Sequence, residues 1–287
     1  MEYAAPTTLD DAVSALAGGG VSQPFAGGTD LMVQMRSAAP REQKLVDIKR
    51  IPELASIALD SSGLRLGAGV SCWEVSQHKE LREAFPGLVE AAELIGSIQI
   101  QNRATVGGNL CNASPAADTV PALIAVGAEC VIAGSGGRRT LPVTDFVTGP
   151  GTTVLGADEL LVELVVPAIT VGTADAYLRF IPRGEMDIAV VGAGVSLTLS
   201  ADGTCTAARV ALGAVGPTAF SVPAAADALV GTSLDEAALE RAAAAARDAA
   251  NPIDDKRGTV TYRRTIAGVL TRRATQIAAT RARERIS

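Results

Sequence analysis

The stretch Ala104-Thr105-Val106-Gly107-Gly108-Asn109-Leu110-Cys111-Asn112-Ala113-Ser114-Pro115-Ala116-Ala117-Asp118 holds adjacent glycines, hydroxyls, two amides and a carboxylate. It contains few bulky apolar groups, yet apolar segments flank it on both sides. Paired glycines allow a sharp turn and close approach of backbone to a ligand. Backbone N–H groups in such turns favour anions, phosphate above all. Two readings follow from the residues: a loop wrapped around a polar, extended ligand, or a solvated surface loop.

Upstream, Phe25-Ala26-Gly27-Gly28-Thr29-Asp30-Leu31-Met32 has a related form. Two glycines follow an expected strand (21–26) and precede a helical pattern, with Thr29 or Asp30 available as cap. Taken alone this is an ordinary strand–helix turn. It lacks the G-x-G-x-x-G spacing of a dinucleotide fold, and no P-loop lysine follows.

Around these two segments the chain reads as mixed strands and helices. Thr8-Leu9-Asp10-Asp11 starts a helix with Val13 and Leu16 inward, ended by Gly18-Gly19-Gly20. A short strand is expected at 45–48 and a hairpin at 57–66 about Asp60-Ser61-Ser62-Gly63. Helices are expected at 89–95 and 119–126, a second hairpin across 128–141, and a strand at 160–166 ended by Pro167. The pattern then changes to a three-stranded meander (176–180, 190–199, 206–212), with Asp202-Gly203 as one turn. From Leu234 the chain is helical, broken at Asn251-Pro252 and resumed near Tyr262. This order gives an α+β chain with a boundary near 168–175.

Composition narrows the function. The net charge of −6 argues against nucleic acid. The arginines at 263, 264, 272, 273, 281, 283 and 285 read as a solvated or subunit-facing surface. No membrane span or secretory signal is visible, so a cytoplasmic protein is expected. Cys72, Cys111, Cys130 and Cys205 form no CxxC pair, so neither an iron–sulfur cluster nor a zinc site is encoded locally. His78, the only histidine, reads as exposed helix and is a poor acid–base candidate. No metal-ligating and no catalytic residue is assigned.

The segment 105–118 resembles the second FAD-binding signature of the molybdenum hydroxylase flavoproteins, and Ala26-Gly27-Gly28-Thr29-Asp30 resembles the first, about eighty residues earlier. Arg179-Phe180 through Asp187-Ile188-Ala189-Val190-Val191 is similar to the start of the family's C-terminal flavoprotein domain. Asp254-Asp255-Lys256-Arg257-Gly258 through Tyr262-Arg263-Arg264 is similar to its closing part.

The resemblance implies a two-part FAD-binding domain of the vanillyl-alcohol-oxidase type at 1–170 (parts of about 1–55 and 56–170), then a small α+β domain at 171–287. It implies non-covalent FAD. Its pyrophosphate is expected on backbone groups of Ala26, Gly27, Gly28, Thr29 and Asp30 and of Thr105 to Asn109, Gly107 and Gly108 among them, with Phe25, Leu31 and Ala104 also in the cofactor site. Asp118 is expected to accept ribose or ribityl hydroxyls, Ile95 and Leu161 to touch the rings, and Arg179 to stand near the flavin. Molybdopterin and two [2Fe-2S] clusters are expected in a large and a small partner subunit, within a dimer of heterotrimers. Electrons would pass from the clusters through FAD to NAD, a quinone or dioxygen. The alternatives are a free-standing flavin oxidase and a scaffold subunit without flavin.

Overall fold

The computed structural model describes residues 1–18, 21–37 and 43–286. Its N-terminal part is a parallel sheet of β1 (Glu2–Ala4), β2 (Val21–Phe25) and β3 (Gln43–Asp47), in the order β1-β3-β2. Parallel neighbours need a crossover. Here α1 (Leu9–Ala17) joins β1 to β2, and α2 (Leu31–Ser37) follows β2. Thr8 caps α1 by accepting from the Asp11 amide. Ala12 and Leu16 are buried, and Val13 only partly so: its position, one step from Ala12, sits at the margin of the buried stripe. Gly18 is the C-cap of α1, while Gly19-Gly20 lie outside the described residues.

Next comes an antiparallel five-stranded sheet. It is built from β4 (Ile57–Asp60), β5 (Gly63–Gly67), and, after five short helices and α8, from β6 (Glu129–Gly134), β7 (Gly137–Pro142) and β10 (Leu160–Pro167). The strand order is β4-β5-β10-β6-β7. Both expected hairpins are present, with Leu59 opposite Leu64 and Cys130 opposite Leu141. The five helices are α3 (Cys72–Gln77), α4 (Lys79–Ala84), α5 (Pro86–Glu93), α6 (Ile98–Gln101) and α7 (Val106–Cys111). In α8 (Thr119–Ala125) every residue is buried. Such a helix packs on all sides, and complete burial of a leucine such as Leu123 contributes about 1.5–3 kcal/mol. A small ribbon of β8 (Val147–Gly149) and β9 (Thr152–Thr153) precedes β10.

The remainder is a meander of β11 (Thr173–Phe180), β12 (Val191–Leu199), β13 (Cys205–Gly213) and the short β14 (Phe220–Ser221), covered by α9 (Pro223–Asp227), α10 (Glu236–Ala249) and α11 (Val260–Glu284). Alanine lines the helical side of this core (Ala242, Ala246, Ala267, Ala274, Ala278), so α11 lies close to the sheet and α10 close to α11. The other face of the meander rests on α5 and α8.

Two sequence readings are corrected here. His78 is not part of an exposed helical run: it ends α3 and caps α4, its half-buried Nδ1 accepting from the Leu81 amide. The C-terminal arginines are not simply a solvated surface. Arg263 is buried, pairs with Asp255 at 2.6 Å and donates to the Val190 carbonyl. Arg264 donates to the Ala250 carbonyl, Arg272 pairs with Glu236, and Arg281 pairs with Glu90. Arg285 reaches the carbonyls of Thr173 and Ala84. A 25-residue helix that closes a domain has carbonyl ends and carboxylates on every neighbouring element, and arginine's fork of donors reaches them.

Candidate functional site

β2 ends at Phe25, and its carbonyl accepts from the Ile48 amide beyond the end of β3. The chain then turns through Gly27-Gly28 into α2. Gly28 has φ +76°, a left-handed conformation that side chains with a Cβ rarely adopt. A Cβ on Gly27 would overlap the Arg103 carbonyl, so the first glycine turn lies directly on the peptide that opens the second motif.

That second motif is not the open loop its composition suggests. Thr105 is an N-cap with extended backbone, its hydroxyl accepting from the Gly108 amide at 2.8 Å, and residues 106–111 form α7. Val-Gly-Gly-Asn is poor helix material by intrinsic propensity. Tertiary packing decides instead: Val106, Gly107 and Leu110 are buried, and a Cβ on Gly107 would stand 2.6–2.7 Å from backbone and side-chain atoms of Ala68. The helix therefore sits hard against the end of β5. Asn109 turns its amide oxygen to the backbone N–H and hydroxyl of Thr119, tying α7 to the start of α8.

Between the two turns lies a cleft of about 410 Å³. Of the residues singled out from sequence, Ala26, Gly27, Gly28, Thr29, Asp30, Leu31, Ile95, Ala104, Thr105, Gly107, Gly108, Asn109 and Leu161 line it. Three do not. Phe25 lies beneath the turn, its ring against the position a Gly28 Cβ would take. Asp118 and Arg179 are paired at 2.7 Å behind the cleft, both side chains at least nine-tenths buried. The other Asp118 oxygen accepts from the Tyr177 hydroxyl at 3.0 Å. Burial pushes the Asp118 carboxyl up to about 6, against the opposing pull of Arg179 and the Tyr177 hydrogen bond.

Cys111 and Asn112 of the second motif, not assigned a role from sequence, also line the cleft, and sequence reasoning missed Ser22, Gln23 and Gln34 on the first wall and the 151–160 segment with Leu155, Gly156 and Glu159. Gln34 donates across to Asn112 at 2.8 Å and so joins the walls. Asn112 lies within the second motif, whereas only its sequence neighbourhood to the first turn could have pointed to Gln34. The Cys111 thiol is pushed up to about 12 by burial, so it stays protonated and weakly nucleophilic. Asp30 also faces the cleft with its carboxyl raised by burial.

The fit of this cleft to a dinucleotide rests on its donors. Among the described residues no acceptor is found for the amide N–H groups of Gly27, Gly28 and Thr29. In the first turn of α7 the Gly108 amide is capped by Thr105 and Val106 adjoins the Ser71–Thr105 bridge, which leaves the amide of Gly107, a lining residue, without an intrahelical acceptor. N–H groups on opposite walls, with no lysine or arginine among the described lining residues, suit an extended diphosphate held by backbone. Ile48, Ile95, Leu155, Leu160 and Leu161 supply apolar surface for rings at its ends. Among the described residues, no group of three or more His, Cys, Asp or Glu could hold a metal ion. No described helix is long and apolar enough to cross a membrane.

Comparison with known proteins agrees with this construction. Residues 1–169 match the FAD binding domain in molybdopterin dehydrogenase, and residues 176–278 match the CO dehydrogenase flavoprotein C-terminal domain. The chain is 35% identical over 274 residues to the carbon monoxide dehydrogenase medium chain of Hydrogenophaga pseudoflava, covering 95% of each. It is 30% identical to the nicotinate dehydrogenase FAD-subunit of Eubacterium barkeri, covering 92% of this chain and 90% of that one. A solved structure of the Hydrogenophaga pseudoflava carbon monoxide dehydrogenase superposes with a TM-score of 0.92, 98% of each chain being covered. A chain with both domains in this order, and with both glycine turns facing one cleft, belongs to the FAD-binding subunits of the molybdenum hydroxylase family of oxidoreductases.

Proposed function

We propose that this chain is the electron relay of a multisubunit molybdenum hydroxylase, taking electrons from [2Fe-2S] clusters of a small partner subunit and releasing them from FAD to an external acceptor. The observation that carries this reading is the joining of two glycine turns, distant in sequence, around one cleft rich in unspent backbone donors. Bound flavin accepts electrons singly or in pairs and so connects one-electron clusters to a two-electron acceptor. This chain's own work is binding and orientation. The amides of 26–30 and 105–109 hold the pyrophosphate, and Ile95 and Leu161 flank the rings. Asp118 and Arg179 act on the ring end of the site from behind it, and a direct hydroxyl contact to Asp118 requires one of its present hydrogen bonds to give way. The flavin is held without a covalent tether: His78 lies outside both glycine turns, and Cys111, the thiol at the cleft, belongs to the family's glycine motif, which carries no known tether.

We further assign residues 1–170 to the FAD-binding domain, with parts at about 1–55 and 56–170, and 171–287 to the C-terminal domain. A large molybdopterin subunit and a small cluster subunit complete a heterotrimer that pairs into a dimer. The organic step belongs to the large subunit, where a metal centre can generate the oxygen nucleophile that hydroxylation needs. The test is anaerobic. The complete complex, screened with carbon monoxide, nicotinate and xanthine for one that it oxidises, is expected to bleach its FAD with that compound. The purified chain, loaded with FAD and given the same compound, is expected to stay yellow. Bleaching of the chain alone would overturn the relay reading in favour of a free-standing flavin oxidase.

A further inference from the structure

We propose that Lys49, held by Asp47 and Tyr3, is a positioning residue for FAD that aims the Gly27 amide into the diphosphate cleft from behind the first glycine turn. The inference rests on the reading that this turn holds the pyrophosphate.

The network is continuous. The Lys49 ammonium donates to the Ala26 carbonyl at 3.1 Å and to Asp47 Oδ1 at 2.7 Å. It also lies 4.1 Å from the centroid of the Phe25 ring. Asp47, buried at 5% exposure, accepts from the Lys49 amide at 3.0 Å and, through Oδ2, from the Tyr3 hydroxyl at 2.5 Å. Burial opposes the charge of Asp47, but the hydrogen bonds from Lys49 and Tyr3 prevail and hold its carboxyl below the usual range. None of Tyr3, Asp47 and Lys49 lines the cleft, whereas Ala26, Gly27 and Gly28 all do.

Peptide geometry turns this contact into a statement about the ligand side. In a trans peptide, the carbonyl and the N–H point in opposite directions. No cis peptide is present among the described residues. With the Ala26 carbonyl drawn back to Lys49, the N–H of Gly27 in the same plane is turned away from Lys49, toward the cleft. The Phe25 ring beneath the ammonium is the one that fills the space under Gly28. A cation–π contact and a carbonyl hydrogen bond from one ammonium thus fix both the orientation and the support of the turn. β1 supplies Tyr3 and β3 supplies Asp47, so the turn is braced by the parallel sheet. α2, in which no side chain is buried, gives it little support from the other side.

Lys49→Met keeps an unbranched apolar side chain and removes the ammonium, with its hydrogen bond to Ala26 and its cation–π contact to Phe25. The full chain, freed of flavin and titrated with FAD, is expected to bind about tenfold more weakly in this variant, the worth of one misdirected hydrogen bond. The loss should persist at 0.5 M NaCl, because aiming an amide is not screened by salt. The absorption spectrum and midpoint potential of the FAD that does bind should match the parent chain, since the rings sit elsewhere. Lys49→Arg should recover most of the affinity, and Tyr3→Phe should lose a smaller part of it. Unchanged affinity in Lys49→Met would overturn the proposal. So would a loss that disappears at high salt, which would mean simple charge attraction. A third contrary result is a loss in step with a lowered melting temperature of the flavin-free chain, which would mean general damage. Gly28→Val separates this inference from the reading beneath it. If that variant loses FAD while Lys49→Met does not, the turn holds the cofactor without help from Lys49. If Gly28→Val binds FAD normally, both fall.

Discussion

The two walls of the cleft do the same work by opposite means. The wall made by 104–118 is core: Ala104, Thr105, Val106, Gly107, Leu110 and Asp118 are all buried, and α8 behind them is enclosed on every side. The wall made by 25–37 is surface: no residue of α2 is buried, and Met32 and Val33 are 38% and 60% exposed. One wall is rigid because it cannot move without opening the core. The other is held from behind by a few polar contacts and across the cleft by Gln34. Gly107 in the first wall is required by protein packing and Gly28 in the second by backbone conformation, while Gly27, at the seam of the two, is required by its contact with Arg103. Substitutions of the same size should therefore fail differently.

The largest effect is expected at Gly107. Valine there meets the Ala68 backbone, which has no room to yield. Gly107→Val should cost about 3 kcal/mol of stability and abolish FAD binding with it. Thermal unfolding of the flavin-free variant is the check, and a parent-like melting temperature would show that α7 is not locked to β5.

Gly28→Val should behave otherwise. Its cost is local: the turn can distort into solvent, so most of the strain of a β-branched residue at positive φ is relieved without touching the core. The flavin-free chain should fold and melt close to the parent, yet retain little FAD per chain. If Gly28→Val and Gly107→Val lower stability equally, the contrast between the walls is wrong.

How much of this contrast is legible in the sequence can be judged residue by residue. The paired glycines and the hydroxyl-, amide- and carboxylate-bearing residues mark both turns, and eleven of the residues assigned there line one cleft, joined by Ile95 and Leu161, which the family resemblance implied. The hairpins, the buried 119–125 helix and the C-terminal meander follow from turn residues and apolar runs. What stays hidden is long-range. Nothing local tells that Gly107 abuts Ala68, or that Val106-Gly107-Gly108-Asn109 becomes helical under packing that overrides propensity. The pairing of Asp118 with Arg179 spans 61 residues, and that of Arg281 with Glu90 spans 191. Such pairs are invisible to patterns read within a window of one or two turns.

The rigid wall also carries a buried charge at its back. Asp175 of β11 accepts from the Leu88 amide at the start of α5, while its Oδ1 has no partner among the described residues. Glu90 on α5, Arg281 on α11 and Arg285, which caps the end of α11, are its charged neighbours. Burial pushes its carboxyl up to about 7, opposed by the Gly87 and Leu88 amides. The folded value thus lies above that of an unfolded aspartate, about 3.9. Between these values the folded chain binds more protons than the unfolded one, so this group makes stability fall as pH rises from about 4 to about 7. Asp175→Asn should remove that dependence, so that its stability relative to the parent rises by on the order of 2 kcal/mol between pH 5.5 and pH 8. Denaturant titrations at pH 5.5 and pH 8 measure it. A difference between variant and parent that is the same at both pH values would mean that Asp175 is ionised throughout.

The smallest effect is expected where the walls touch. Gln34 donates to Asn112 between exposed side chains, and an exposed hydrogen bond has water as a ready substitute. Gln34→Ala should leave the melting temperature of the flavin-free chain unchanged, because α2 contributes no buried side chain to the core. Its consequence should lie in kinetics. With FAD in the cleft, the clasp holds α2 over the mouth, and without it the surface wall is free to swing on its glycine turn while the core wall stays put. The release rate of FAD, followed by trapping in excess competing apoflavoprotein, should rise about two- to fivefold, the worth of roughly 0.5–1 kcal/mol. The association rate should change less, since opening is no obstacle to entry. Asn112→Ala removes the same hydrogen bond from the rigid side and should match it. If Asn112→Ala speeds release and Gln34→Ala does not, the moving part is the end of α7 and not α2, and the assignment of the flexible wall is reversed.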